Sequence, residues 1–131
     1  MQKTLIAHGH GGRVLAMDSV TMVTLEDAGA IVVSGSHGGT SSGTFALEVP
    51  LKAAFFNDAG VGKDDAGIAA LAMLQARGVA AATVAHTSAR IGDSRDAWEN
   101  GVISHCNEHA RRLGCVPGES LRAALTALVS P

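Results

Sequence analysis

Three short apolar runs, each followed at once by a polar loop rich in glycine, constrain this chain more than any other feature. The run at 30–33 is apolar at consecutive positions, as expected for a strand buried on both faces of a sheet. Similar runs lie at 53–56 and 79–85, with helical patterns between them. We therefore predict an α/β fold: a small three-layer sheet, parallel or mostly parallel, with helices on both faces, Rossmann-like or flavodoxin-like in outline.

The segments between the runs carry helix signals. After the first run, Ser41 or Ser42 is placed to cap a short helix that extends to residue 47. After the second run, apolar residues recur at helical spacing, with Asp64 or Asp65 as the candidate N-cap and Gly78 as a candidate left-handed C-cap. These signals predict one helix in each crossover.

A longer helix is predicted after the third run, with Asp93 as its candidate cap. Its apolar stripe consists of Trp98, Val102, Cys106, Ala110 and Leu113. Ser120 is placed to cap a C-terminal helix over 119–129. Near the N-terminus, the segments 13–17 and 19–25 are rich in Val, Thr and Leu, which predicts one or two extra strands at the sheet edge.

We expect a single α/β domain over 1–131, with 1–25 supplying the edge strands. A chain of 131 residues with 47% hydrophobic content can build one compact core but hardly two. Aromatic residues make up only 3% of the chain and Tyr is absent, so the core has to consist of Ala, Val, Leu and Ile. Because such a core is thin, we expect a homo-oligomer in which a second copy completes it.

The charge and the hydropathy of the chain exclude several classes of partner. A net charge of −2 and few aromatic residues provide neither a basic surface nor a stacking platform for nucleic acid. The apolar segment near the N-terminus is too short for a signal peptide, and no stretch approaches the length of a membrane span. We therefore expect no nucleic acid, no membrane and a cytoplasmic location.

The polar segments that follow the runs are called here the first loop (34–42), the second loop (57–65) and the third loop (86–94). In a parallel sheet such loops emerge together at the carboxyl edge, where ligands of open α/β folds bind. We therefore predict that the three loops form one site. Its candidate ligand is a small anionic metabolite that carries a carboxylate or a phosphate.

The first loop offers hydroxyls, glycine amides and a helix N-terminus, all of which favour an anion. Its predicted substrate-binding residues are Ser34, Gly35, Ser36, Gly38 and Gly39, and His37 is a candidate acid or base. The alternative is a flexible glycine turn with helix-capping hydroxyls. Because position 34 is Ser rather than Gly, Ser36 does not sit in a G-x-S-x-G nucleophile elbow.

The spacing of Gly35, Ser36, Gly39 and Ser41 resembles the phosphate loop of flavodoxins. The resemblance covers this loop alone. The loop departs from the flavodoxin pattern because it follows an internal strand, and the chain has no Tyr to sandwich a flavin. Since a dinucleotide fingerprint is also absent, we predict no cofactor.

The second loop contains Gly-Val-Gly-Lys, which suggests a nucleotide P-loop until its spacing is checked. A Walker A motif requires Gly where Asn57 stands and Ser or Thr where Asp64 stands, so ATP or GTP hydrolysis is excluded. The remaining candidates are Asp58 and Lys63, whose charges can shift pKa values toward acid/base catalysis. The alternative is a capped helix start with surface ion pairs.

The third loop supplies an anion clamp and a further base. The planar guanidinium of Arg90 suits a carboxylate or a phosphate, and Ser88 adds a hydroxyl. His86, at the predicted end of the strand, is a candidate acid or base because histidine side chains in general change charge near neutral pH. Asp93 either orients Arg90 or caps the helix, and we favour the cap.

The other histidines and the two cysteines lie outside this predicted site. His105 and His109 are four residues apart on the predicted long helix and could grip a metal from one face, but no third ligand is evident. His8 and His10 flank a glycine in a segment that we interpret as a mobile turn. The two cysteines of the chain, Cys106 and Cys115, do not have the spacing of zinc ligands, and we predict no metal site.

These observations favour an enzyme that performs acid/base chemistry on a small anionic metabolite. Its predicted catalytic residues are His37, Asp58, Lys63 and His86. A lyase, an isomerase or a hydrolase fits this set better than a redox enzyme, because the chain has no dinucleotide motif. The alternatives are a non-catalytic anion- or nucleotide-binding module, a regulatory module, or an accessory subunit of a larger enzyme.

Overall fold

A computed structural model describes residues 2–130, so Met1 and Pro131, the two ends of the predicted domain, lie outside the described residues. Strands that pair into one sheet are β1 (Lys3–Gly9), β2 (Gly12–Met17), β3 (Ile31–His37), β4 (Ala53–Asn57), β5 (Ala80–Val84) and β6 (Ile103–Cys106). β2 to β5 are parallel, whereas β1 and β6 pair antiparallel at the two edges. The predicted α/β class with a mostly parallel sheet is therefore confirmed.

The helices follow the strands in the predicted alternation. They are α1 (Thr40–Ala46), α2 (Ala69–Gln75), α3 (Ser94–Asn100), α4 (Glu108–Arg112) and α5 (Leu121–Val129). Three short 3-10 segments lie at Val20–Met22, Leu25–Asp27 and Lys63–Ile68. Within residues 2–130, no helix has the length and apolar character that crossing a membrane requires.

Consecutive residues of the central strands contribute to two separate buried clusters, because side chains alternate across a sheet. Val33 lies in one cluster with Trp98 of α3 and Leu125 of α5, while Val32 lies in the other with Leu74 of α2. The strand order along the sheet is the same as the order along the chain. This sheet therefore lacks the point at which the strand order changes direction in Rossmann and flavodoxin folds.

The long helix predicted from Trp98 onward is wrong. The chain leaves α3 at Gly101, where a Cβ would lie 2.2 Å from the carbonyl oxygen of Ala97, and then forms β6. α4 follows, with Asn107 as its N-cap. Asp93 does cap α3, as predicted, because its side chain accepts a hydrogen bond from the Asp96 amide.

The N-terminal prediction is correct in part. The segment 13–17 lies in β2, but β2 is an internal strand because β1 covers its outer side. The segment 19–25 is not a strand, since the Ser19 side chain accepts a bond from the Thr21 amide and caps a 3-10 turn. The predicted C-terminal helix is α5, capped by Ser120 as expected.

Two predicted N-caps are also wrong. α1 begins directly after Gly39 and includes Ser41 and Ser42 in its first turn, so neither serine is its cap. Asp64 and Asp65 have φ angles of 56° and 58°, a left-handed conformation that precedes the start of α2 at Ala69. Gly78, with a φ of 75°, does adopt the left-handed conformation predicted for it.

Candidate functional site

The carboxyl ends of β3, β4 and β5 lie side by side. His37, Asn57 and Val84, the last residues of these strands, are in register across the sheet. The residue that follows each of the first two strands bonds to the end of the next strand. The Gly38 amide, after β3, donates to the Asn57 carbonyl of β4 at 3.0 Å, and the Asp58 amide, after β4, donates to the Val84 carbonyl of β5 at 2.9 Å. The three loops are therefore neighbours at one edge.

Close backbone contacts join the first and third loops. A Cβ at Gly35 would lie 2.6 Å from backbone atoms of Gly92 and Asp93, so this position requires glycine. The Gly92 amide donates to the Gly35 carbonyl at 2.7 Å. At the end of β4, the buried Asn57 side chain donates to the Ala89 carbonyl of the third loop at 2.8 Å. The third loop is thus held over the end of β3.

Asp58 and His86 form the most specific polar contact at this edge. The Asp58 side chain is 6% exposed, and its Oδ1 lies 3.4 Å from Nδ1 of His86, whose side chain is 52% exposed. The same oxygen accepts the Gly60 amide at 2.8 Å and the His86 amide at 3.0 Å. A buried carboxylate therefore lies within ion-pair distance of a half-exposed imidazole, while its hydrogen bonds go to backbone amides rather than to the ring.

The surroundings of Asp58 favour its ionised form. Burial by itself raises the pKa of this carboxyl, because charge is costly away from water. Hydrogen bonds from the Gly60 amide, the Ser104 hydroxyl and the His86 amide, together with the charge of His86, lower the pKa and outweigh burial. The net pKa of Asp58 is below its ordinary value, so the pair carries a carboxylate near neutral pH.

The second loop adopts a strained backbone beside this pair. Residues other than glycine with positive φ are Ala59, Val61, Asp64 and Asp65. Each such residue costs about 1 kcal/mol or more, and this strain is typical of functional sites. A Cβ at Gly60 would lie 3.4 Å from the His86 ring, so the loop also supports the imidazole. Lys63 is exposed in the same loop.

A cavity of about 370 Å³ lies at the same edge, beside the ends of β2 and β3. The first loop contributes Gly35, Ser36 and His37 to its wall, and the third loop contributes Ile91 and Gly92. Five hydroxyl-bearing residues line it: Ser19, Thr21, Ser36, Ser41 and Ser42. The cavity therefore presents hydroxyls and the Asp18 carboxylate to a ligand, whereas Lys63 and Arg90 are outside its lining.

His37 enters this cavity in a defined orientation. Its Nδ1 accepts the Gly39 amide at 3.1 Å, so in the neutral ring the proton lies on Nε2. His37 is exposed, and it is two strands away from His86 across the sheet. Neighbouring strands are about 4.8 Å apart, which separates the two histidine backbones by about 10 Å. They lie on one edge without forming a pair.

Three of the groups predicted to bind an anion are occupied by the protein itself. Ser34 is buried, and its hydroxyl donates to a carbonyl of β4 at 2.9 Å. The Gly38 amide also donates to β4, and the Gly39 amide donates to His37. Of the two serines predicted to bind an anion in the first loop, Ser36 is the one that remains available, because its Oγ accepts the Val20 amide at 2.9 Å and keeps its own proton for a ligand.

The two predicted ligands of the third loop differ in availability. The Ser88 hydroxyl donates to the Ala85 carbonyl at 2.7 Å and accepts the Val102 amide at 2.9 Å, so it joins β5 to the start of β6. The Arg90 side chain is 84% exposed, with Nη1 3.8 Å from the Asp93 carboxylate. Arg90 is therefore free to turn toward a ligand, whereas Ser88 serves the fold.

The remaining histidines and cysteines are dispersed. His105 lies in β6 and His109 in α4, so the shared helix face predicted for them is wrong. His8 is the second-last residue of β1, and His10 lies in the hairpin turn that follows the strand. Among residues 2–130, no group of three or more His, Cys, Asp or Glu side chains could hold a metal ion. Burial raises the pKa of the Cys106 thiol and raises that of Cys115 to about 12.

Several residues that organise the site escaped the sequence-based prediction. Asn57 directly follows a buried run, which is a signal for a structural polar side chain. Gly67 carries no such signal: a Cβ there would lie 2.0 Å from the Asp58 carbonyl oxygen. Ser104, which contacts Asp58, is hidden inside the predicted long helix.

No protein-family model, no curated protein and no solved structure matches this chain. The function therefore has to be argued from the chemistry of the site, because a fold class by itself implies no activity.

Proposed function

We propose that this protein is an enzyme that performs acid/base chemistry on a small metabolite carrying a carboxylate or a phosphate. The observation that carries the proposal is the pair of Asp58 and His86 at the carboxyl edge, a buried carboxylate 3.4 Å from a half-exposed imidazole. Perturbed titratable groups of this kind are concentrated at active sites.

The pair is suited to moving a proton. A small rotation of the His86 ring would let Nδ1 of the neutral form donate to Asp58, which leaves the lone pair of Nε2 available as a base. After that nitrogen has taken a proton from a substrate, the carboxylate stabilises the imidazolium, which can then act as an acid. A lyase, an isomerase or a hydrolase uses this cycle, and none of its steps calls for a cofactor.

Two exposed cations, Lys63 and Arg90, are the groups near the pair that favour an anionic substrate. The guanidinium of Arg90 lies 3.8 Å from the Asp93 carboxylate, and the backbone amide of Arg90 donates to the Asp96 carboxylate at 2.9 Å. A planar guanidinium binds a carboxylate or phosphate with two parallel bonds. The hydroxyl-lined cavity beside β2 and β3 supplies room for the remainder of the substrate, with Ser36 and His37 as donors.

The proposal includes a homo-oligomer in the cytoplasm. Exposed apolar side chains lie at both edges of the sheet, with Leu5 52% exposed in β1 and Val102 37% exposed next to β6. Edge strands with apolar side chains are common points of association between subunits. The alternatives predicted from the sequence, a binding or regulatory module and an accessory subunit, keep the same cation-flanked edge without turnover.

Proton exchange measured by NMR tests the proposal for any reaction that begins with removal of a proton from the substrate. The protein is incubated in D2O with a panel of small hydroxy, keto and unsaturated carboxylates and phosphate esters, and solvent deuterium entering each compound is followed. At least one compound should exchange or be converted, and His86→Gln should lower that rate about 100- to 10,000-fold. Thr87→Ala, an exposed neighbour outside the pair, serves as the control.

Two results would contradict the enzyme. If no panel member reacts but several bind with an affinity that depends on Arg90, the protein is a binding module. If a compound reacts at an equal rate in the wild type and in His86→Gln, the Asp58–His86 pair does not carry the chemistry.

A further inference from the structure

A second cavity lies away from the carboxyl edge, between α2 and the edge strand β6. Its volume is about 550 Å³, within the range of pockets that hold small organic ligands. α2 contributes Leu71 and Ala72, and Ile68 and Pro117 add further apolar surface. The wall opposite α2 is formed by β6 and the start of α4. This cavity is called the β6 groove below.

Polar groups converge on one side of the β6 groove. Arg111 lines it, and within residues 2–130 its guanidinium has no carboxylate within ion-pair distance. Gln75 accepts the His109 amide through Oε1 at 3.1 Å, which leaves its side-chain N–H groups for a ligand. His105 contacts the Ser104 hydroxyl through Nδ1 at 3.2 Å, which leaves Nε2 for a ligand.

The one acid of the groove lining is already paired. Glu108 lies 3.3 Å from the guanidinium of Arg112, next to Arg111 in the same helix. The positive charge of Arg111 reaches the groove wall, since it lowers the pKa of the Cys106 thiol against the larger effect of burial. The groove therefore combines apolar walls with an unneutralised cation.

We propose that the β6 groove binds a small organic acid with an aromatic or branched apolar body, whose carboxylate pairs with Arg111. An apolar body replaces water along α2, while the carboxylate gains the charge-assisted bonds for which Arg111 is free. A neutral analogue lacks this second gain, and an amine places like charge against Arg111. The groove should thus select anions over neutral and cationic molecules of equal shape.

The groove is distinct from the proposed active site, and the inference does not rest on that function. Asp58 and His86 are not in its lining, although Ser104, which lines the groove, contributes to lowering the pKa of Asp58. A substitution at His86 should accordingly leave binding in the groove unchanged.

Three probes of matched shape test the proposal: 3-phenylpropionate, 3-phenylpropionamide and 3-phenylpropylamine. Each is titrated into the full ¹⁵N-labelled chain, and amide shifts are followed in two-dimensional NMR spectra. The acid should shift the amides of 71–75 and 104–108 and should bind at least about tenfold more tightly than the amide or the amine, the factor expected from one charge-assisted contact.

Variants then locate the contact. Arg111→Gln should weaken 3-phenylpropionate about tenfold or more, whereas Arg112→Gln, the neighbouring arginine that already pairs with Glu108, should leave the affinity within twofold. Ala72→Phe should fill the exposed side of the groove and abolish binding. His86→Gln should bind the acid as tightly as the wild type does.

The comparison of probes needs no variant, so the proposal stays falsifiable if Arg111→Gln fails to fold. Equal affinity for acid and amide, the absence of any shift up to millimolar acid, or shifts confined to the second and third loops would overturn it. A weakened affinity in His86→Gln would also overturn it, because the acid would then occupy the proposed active site.

Discussion

Replacing Asp58 by Asn measures what the carboxylate contributes, because the two side chains have nearly the same shape. In the wild type one carboxylate oxygen accepts two backbone amides, at 2.8 and 3.0 Å. A hydrogen bond to a charged group stabilises by about 1.5–3 kcal/mol, and a neutral one by about 0.5–1.5 kcal/mol. Losing the charge at two bonds should therefore lower the free energy of unfolding by about 2 kcal/mol at pH 7.

The sign of the pH dependence follows from the lowered pKa of Asp58 in the folded protein. A carboxyl with a depressed folded pKa stabilises the protein above its unfolded pKa, about 3.9, and this contribution is lost as the pH falls through the folded pKa. The stability difference between wild type and Asp58→Asn should thus be present at pH 7 and should shrink below about pH 4. Other carboxyls with lowered pKa values, such as Asp18 and Asp27, affect both proteins alike.

Urea unfolding followed by circular dichroism at several pH values measures this difference. Asp65→Asn is the matched control, since it makes the same change at an exposed position in the second loop and should shift stability by less than about 0.5 kcal/mol. Equal stability of Asp58→Asn and wild type at pH 7, or a difference that persists undiminished at pH 2, would refute the reasoning.

Three further substitutions test how the edge and the sheet are held. Ser88→Ala removes the hydrogen bonds of this hydroxyl with the Ala85 carbonyl and the Val102 amide and should lower the free energy of unfolding by about 1–2 kcal/mol, whereas Thr87→Ala should not, as chemical denaturation will show. Gly35→Ala places a methyl group 2.6 Å from backbone atoms and should cost about 3 kcal/mol, visible as a lower Tm; an unchanged Tm would contradict the close packing. Asn107→Ala leaves four bonded backbone groups without their partner and should cost about 3–5 kcal/mol in urea unfolding, while a loss under about 1 kcal/mol would contradict its structural role.

The central sheet could be predicted from the sequence because its signal is local. β3 and β4 are buried on both faces, so each reads as an uninterrupted apolar run that is too short for a helix. The capping roles of Asp93 and Ser120 are local as well, since each side chain bonds to an amide three residues away. Such features depend on a few adjacent residues.

β6 is missed by the sequence because the strand is short and mostly half-buried. It spans four residues, and only Ile103 among them is buried, so it forms neither an apolar run nor a regular alternation. Trp98 and Ala110, which continue the helical spacing on either side of it, belong to two separate helices, α3 and α4. The chain leaves α3 at Gly101, whose backbone is extended.

Within the site, the sequence indicates which loops meet but not which groups remain free. Ser34 and Ser88 have the character of ligands, yet their hydroxyls bond to backbone groups 21 and 14 residues away in the chain. The contact of Asp58 with His86 spans 28 residues. Partners at such distances are set by strand register, which a pattern along the chain does not contain.

Asp58 links the strain of the second loop to the orientation of His86. Four residues with positive φ at about 1 kcal/mol each amount to a sizeable part of the roughly 5–15 kcal/mol by which a domain of this size is stable. The loop keeps this conformation because its Gly60 amide bonds to the Asp58 side chain and the Gly67 amide bonds to the Val61 carbonyl at 2.7 Å. The same carboxylate oxygen lies 3.4 Å from Nδ1 of His86, so one ionised group both bonds to the strained loop and places a negative charge beside the exposed imidazole. A merely structural carboxylate would need the first of these contacts but not the second, and their coincidence in one buried side chain favours a catalytic use of the pair.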